Sequence, residues 1–89
     1  MKAIVSVFAK DAKGITAYVA SLLAGKEINI LDISQTLMQE FFAMIMLVDL
    51  TDCNEPFDEL AHYLKSKGEE HSLDIHIQRQ DIFEAMHRI

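Results

Sequence analysis

Apolar and polar positions alternate along residues 2–10: Ala3, Val5, Val7 and Ala9 fall on one side, Ile4, Ser6 and Phe8 on the other. Such a β-branched run, apolar on both sides, predicts a strand with both faces covered. After the polar stretch Lys10-Asp11-Ala12-Lys13-Gly14, the period changes. Ile15, Val19, Leu22 and Leu23 make the single stripe of a helix that closes at Gly25. From Asn29 to Gln39 the alternation returns, with Leu31, Ile33 and Leu37 set against Asp32, Ser34 and Thr36. The run Phe41 to Leu50 follows at once, so a tight turn near Gln39-Glu40 makes these two strands an antiparallel hairpin. Asn54-Glu55-Pro56 supplies a capping side chain and then a proline, opening a second helix. Its stripe is Phe57, Leu60, Ala61 and Leu64, with Lys65 and Lys67 in the last turn and Gly68 as its stop. Residues 72–79 alternate Leu73, Ile75 and Ile77 against Asp74, His76 and Gln78. Asp81-Ile82-Phe83-Glu84 has the form of a capping box for a tail helix over 81–89.

Strand, helix, strand, strand, helix, strand with right-handed crossovers predicts an α+β fold. The expected architecture is a ferredoxin-like βαββαβ two-layer sandwich with sheet order 4-1-3-2. The first and third strands are then central and the second and fourth are edges, which agrees with their patterning. A two-layer sandwich leaves one sheet face without helices, and here that face would carry Ile4, Phe8 and one set from the third strand. Contiguous apolar patches of this kind mark interfaces. The expected covers are the tail helix, through Ile82, Phe83, Met86 and Ile89, and a second subunit.

Composition narrows the functions. A chain of 89 residues allows a single domain, and small domains bury a smaller share of their surface. The net charge of −6 argues against nucleic acid or an anionic membrane as partner. The longest apolar run, Phe41 to Val48, is far short of a membrane span. The opening residues 1–6 lack the features of a signal peptide, so a cytoplasmic location is expected. The lone Cys53 has no basic neighbour to activate it. Asp74 and His76 share a strand face, but nothing completes a metal site with them. His62 falls on a solvated helix face, His71 in a polar loop, and Met38, Met44 and Met46 read as packing residues. No metal or cofactor is expected.

Two stretches carry chemistry. Lys10 to Ile15 turns from the end of a central strand into a helix start, whose free N–H groups suit a carboxylate or phosphate, and Gly14 permits close approach. A structural role, Asp11 capping the helix and Gly14 turning the chain, accounts for the same residues. Farther on, Asn29 offers amide donors and an acceptor, enough to read an amino-acid backbone; a turn role after the helix also accounts for it.

Lys-Asp-x-x-Gly-Ile after the first strand, with Asn-Ile opening the second, resembles the ACT domain. The stretch Asp32-Ile33-Ser34-Gln35-Thr36 and the ending from Ile82 to Ile89 are similar to short stand-alone ACT proteins related to the ACT regulators of glycine cleavage. This resemblance spans the whole chain. It implies a regulatory module that binds an amino acid or another small effector at a subunit interface. The implied ligand-binding residues are Asp11, Gly14 and Ile15, with Asn29 from a neighbouring subunit. Lys13 stands where many members carry proline, and Asp11 stands where serine-binding members carry an amide. An aspartate there would hold an effector's ammonium.

Rivals on the same fold lack their residues. An RNA-recognition domain needs basic residues around the third-strand aromatics, and Phe41 to Met46 has none. A soft-metal chaperone needs Cys-x-x-Cys, and an acyl-phosphate hydrolase an arginine in the anion loop. No nucleophile, base and orienting group converge, so the protein is expected not to be an enzyme. The expected partners are a small-molecule effector, further copies in a homodimer or larger homo-oligomer, and a regulated protein. The alternative function is a ligand-free assembly module.

Overall fold

The structure is a computed structural model that describes residues 1–10 and 13–86. Its elements are β1 (Lys2–Ala9), α1 (Ile15–Gly25), β2 (Asn29–Met38), β3 (Phe41–Asp49), α2 (Phe57–Glu69), β4 (Asp74–Arg79) and α3 (Gln80–Met86). The sheet runs β2-β3-β1-β4, with every neighbouring pair antiparallel. This is the βαββαβ order and the 4-1-3-2 sheet expected from the patterning.

The core lies between the helices and one sheet face. Ala3, Val5 and Val7 from β1, and Phe42, Met44, Met46 and Val48 from β3, are buried there. They meet Val19 and Leu23 of α1 and Leu60 and Leu64 of α2. On the opposite face Phe8, Phe41 and Ile45 are exposed, so the uncovered apolar strip is present. The tail helix α3 packs on β1 and β4, where Gln78 donates a 3.4 Å hydrogen bond to the Met86 sulfur. Ile4, opposite Gln78, is buried, while Phe8, at the other end of β1, is not. The tail helix therefore lies over one end of the strip, with Ile82 and Met86 themselves still exposed, and leaves the other end open. Residues 87–89 of the expected tail helix lie outside the described residues.

Several local details differ from the sequence reading. Gly25 is the last residue of α1, as expected, but neither it nor Gly68 supplies the left-handed residue after its helix. Those positions are taken by Glu27 (φ 59°) and Ser72 (φ 59°). Gly68 is instead buried inside α2, where a Cβ would stand 2.9 Å from the Leu73 carbonyl oxygen and 2.9 Å from Ile75 Cγ1. It is small because β4 and its lead-in pass too close for anything else. Asn54 does not cap α2: the cap is Pro56, without a side-chain hydrogen bond. Asp81 lies in the first turn of α3, bonding the Ile82 N–H at 2.9 Å and pairing with Arg79 at 2.9 Å.

Strand β2 departs most from expectation. A bulge between Ile30 and Asp32 shifts the register by one residue. Beyond it, Ile33 and Leu37 lie opposite Met46 and Phe42 and so point to the helix side. Yet they are 38% and 62% exposed. The helix layer reaches Ile30 at the start of β2, and the rest of the strand overhangs it.

Candidate functional site

The turn after β1 brings the chain from the sheet into α1. Gly14 is the residue just before the helix, with φ 73°, and its carbonyl accepts the Tyr18 N–H at 3.1 Å. Among the described residues, no side chain caps this end of the helix. A Cβ built on Gly14 would meet nothing within 4 Å, so glycine is required here by the left-handed backbone and not by crowding within the chain. The buried Ile15 side chain anchors the helix start in the core. Asp11, the remaining loop candidate, lies outside the described residues.

Beside this turn is a hollow of about 230 Å³ lined by Lys10, Lys13, Ile15, His71 and Ser72 among others. The sequence reading treated His71 as bland. Its ring lies 4.0 Å from that of Tyr18, whose hydroxyl donates a 2.9 Å bond to the Lys67 carbonyl. The hydroxyl's pKa lies above the ordinary tyrosine value, chiefly through desolvation. Tyr18 thus ties α1 to the end of α2 and brings His71 beside the lysine-bearing turn. Nothing in the local sequence joins residues 10–15 to 71–72; the link is tertiary.

Asn29 stands at the other end of the sheet. Because β1 runs from Lys2 to Ala9 and α1 returns, Gly14 and Asn29 of one chain stand at opposite ends of the sheet. Asn29 is exposed and pairs in register with Asp49. It lines a hollow of about 390 Å³ with Glu27, Asp49, Thr51 and Asp52. Asp49 accepts from the Thr51 hydroxyl at 2.6 Å and from its N–H at 3.0 Å. These bonds, the hydroxyl's first, hold the Asp49 carboxyl below the usual aspartate value. The acidic surroundings of Asn29 were not anticipated, although Asp49, Thr51 and Asp52 follow the third strand in plain sight.

The two ends therefore differ in chemistry: lysines, a histidine and a helix start at one, carboxylates and an amide at the other. Between them lies the outer edge of β2. Elsewhere, the exposed side chains of Asp74 and His76 lie 2.8 Å apart, and no group of side chains able to hold a metal ion is found among the described residues. Cys53 is a half-buried free thiol. No helix among the described residues is long and apolar enough to cross a membrane.

Comparison with known proteins gives a consistent picture. A family model described as the ACT domain matches residues 2–78. A UPF0237 protein of Listeria innocua is 46% identical, the match covering 100% of both chains. Among solved structures, an ACT domain protein from Streptococcus pneumoniae superposes with a TM-score of 0.85 and 41% identity, covering 97% of each chain. A protein named as a glycine cleavage system transcriptional repressor shares the fold, with a TM-score of 0.72 and 21% identity over 89% of this chain and 45% of that one.

Proposed function

The chain belongs to the ACT domain family, and on that premise we propose that it is a regulatory module binding an amino acid or similar metabolite between two copies of itself. ACT domains are small-molecule-binding regulatory modules, and the fold neighbours are in keeping with that role. The observation that carries the proposal is the exposed edge of β2, ten residues long, lying between two chemically opposite ends. Long edge strands are normally protected by proline, lysine or cover. Beyond the bulge at residues 30–32 and Asp32, this one carries no charge or proline over residues 33–38 and leaves Ile33 and Leu37 in solvent.

A second copy pairing antiparallel along this edge covers those side chains. Two-fold symmetry also lays the Asn29 end of one β2 beside the Met38 end of the other. The Met38 end is the end of the molecule at which Gly14 stands. The lysine-rich turn of one copy then faces the carboxylates and amide of the next, a pairing suited to a zwitterion. The effector's carboxylate lies at Gly14 and Ile15. Its ammonium is shared among Asp11 and the acidic end of the neighbour, and Asn29 donates or accepts as the ligand requires. In this reading the protein acts in the cytoplasm, catalyses nothing itself and passes its ligand state to a regulated protein.

Calorimetry with each standard amino acid, together with sedimentation, tests the proposal. At least one amino acid should bind a homodimer or larger homo-oligomer. Gly14→Val should abolish that binding, because a β-branched residue is strained at φ 73°. Asn29→Ala should weaken it by about 1–3 kcal/mol through an unpaired partner group. Dimers that bind no amino acid would leave the alternative, an assembly module without a ligand. A well-folded monomer at micromolar concentration would remove both readings.

A further inference from the structure

A large concavity among the described residues adjoins the basic end of the proposed effector site but extends away from it over the uncovered sheet face. It has a volume of about 1020 Å³ and lies where β1 stops and the β2–β3 hairpin continues past it. Phe8, Met38, Phe41 and Ala43 form its apolar walls, and the buried Phe42 stands behind them. In register, Thr36, Ala43, Phe8 and Asp74 form one row across the uncovered sheet face, so the hollow is the open end of the strip that α3 does not reach. Its size is at the upper end of the roughly 300–1,000 Å³ typical of pockets for drug-sized ligands.

Charge around it is divided. Glu69 and Asp74 line this hollow and not the smaller one beside the β1–α1 turn; Lys13 and His71 line the smaller one and not this. Lys10 and Ser72 line both. Lys10 is exposed and makes no ion pair among the described residues. An anionic head group is thus repelled by the carboxylates of the large hollow and drawn toward Lys10, where the basic hollow begins. Aromatic and thioether walls accept an apolar body in the large hollow.

We propose that these adjoining hollows form a second small-molecule site, within one copy of the chain, for a monocarboxylate with an apolar body. The body lies against Phe8, Phe41 and Met38, and the carboxylate pairs with Lys10. One shared cation matches a single negative charge. This site shares the Lys10 hollow with the basic end of the proposed effector site, but it needs neither Asn29 nor a second copy.

Octanoate, octan-1-ol, octylamine and acetate, titrated into the full chain by calorimetry, test the assignment. Octanoate should bind, octan-1-ol at least tenfold more weakly, and acetate and octylamine not measurably. Lys10→Gln, a change at an exposed position, should weaken octanoate at least fivefold and leave octan-1-ol unchanged. Thr36→Trp fills the hollow from an exposed strand position that tolerates an aromatic residue, and should abolish octanoate binding with the circular dichroism melt preserved. Asn29→Ala should leave octanoate binding as it is. Equal binding of acid and alcohol, binding of the amine, or no binding of octanoate would each overturn the proposal. So would loss of octanoate binding in Asn29→Ala, which would place the probe between subunits. Octanoate affinity that falls as the protein self-associates would mean that a second copy occupies the hollow, and would overturn it as well.

Discussion

The two edges of the sheet start from the same kind of sequence and end in opposite environments. In β4, Ile75 and Ile77 alternate with Asp74, His76 and Gln78, and the isoleucines are 1% and 8% exposed. In β2, Ile33 and Leu37 alternate with Asp32, Ser34 and Thr36, point to the same side of the sheet, and remain 38% and 62% exposed. The difference lies in the helix layer. α2 packs along β4, and Gly68 brings it to within contact of Ile75. Of β2 only Ile30, near its start, packs against the core, and the bulge follows at residues 30–32. One edge is finished within the chain; the other is left for something else to finish. Alternation reports which side of a strand is apolar, not whether anything covers that side.

The comparison breaks if truncation costs the same at both edges. Ile75→Ala should destabilise by about 2–5 kcal/mol, the range for emptying a packed core site. Leu37→Ala, measured at a protein concentration low enough to keep the chain monomeric, should stay within about 0.5 kcal/mol. Urea midpoints decide it, and equal shifts would mean that β2 is covered within the chain after all.

Gly68 sharpens the account of the finished edge. Replacing a helical glycine with alanine ordinarily gains about 0.8–1.0 kcal/mol of helix propensity. Here the new Cβ meets backbone, the Leu73 carbonyl, at 2.9 Å, as well as Ile75. The overpacking penalty of about 1–3 kcal/mol should win, so Gly68→Ala should lower the melting temperature. A stabilised Gly68→Ala would show that the α2–β4 contact is looser than it looks.

The smallest effect concerns the start of the open edge. Asp49 is held below its ordinary carboxylate range by the Thr51 hydroxyl and N–H, so its charged form favours the folded state. A depressed folded value gives stability that is present above the unfolded value, about 3.9, and is lost as pH falls through the lower folded one. Thr51→Ala should therefore melt below the parent protein at pH 6 and approach it near pH 3. A margin that stays constant across that range would show that Thr51 acts by packing.

Local pattern determined much of this protein. The shift from period two to period three to four placed every strand and helix. Apolar character on both sides of β1 and β3 made them central, and together these set the βαββαβ order and the sheet. Side-chain type and local spacing also singled out Gly14, where the backbone does require φ 73°, and Asn29. Other features were decided only when the chain closed on itself. Sequence spacing placed the end of α1 at Gly25 correctly, but it took Gly68 for a helix stop, whereas Gly68 lies inside α2 and answers to β4, and the left-handed turns fell to Glu27 and Ser72. The gathering of Lys10 and Lys13 with His71, the acidic surroundings of Asn29 and the hollow at Phe8 and Phe41 each join residues distant in sequence. The overhang of β2 is of the same kind. Pattern is a property of neighbours along a chain, whereas burial, field and cavity depend on where other elements come to rest, and no residue of β2 records how far α1 reaches.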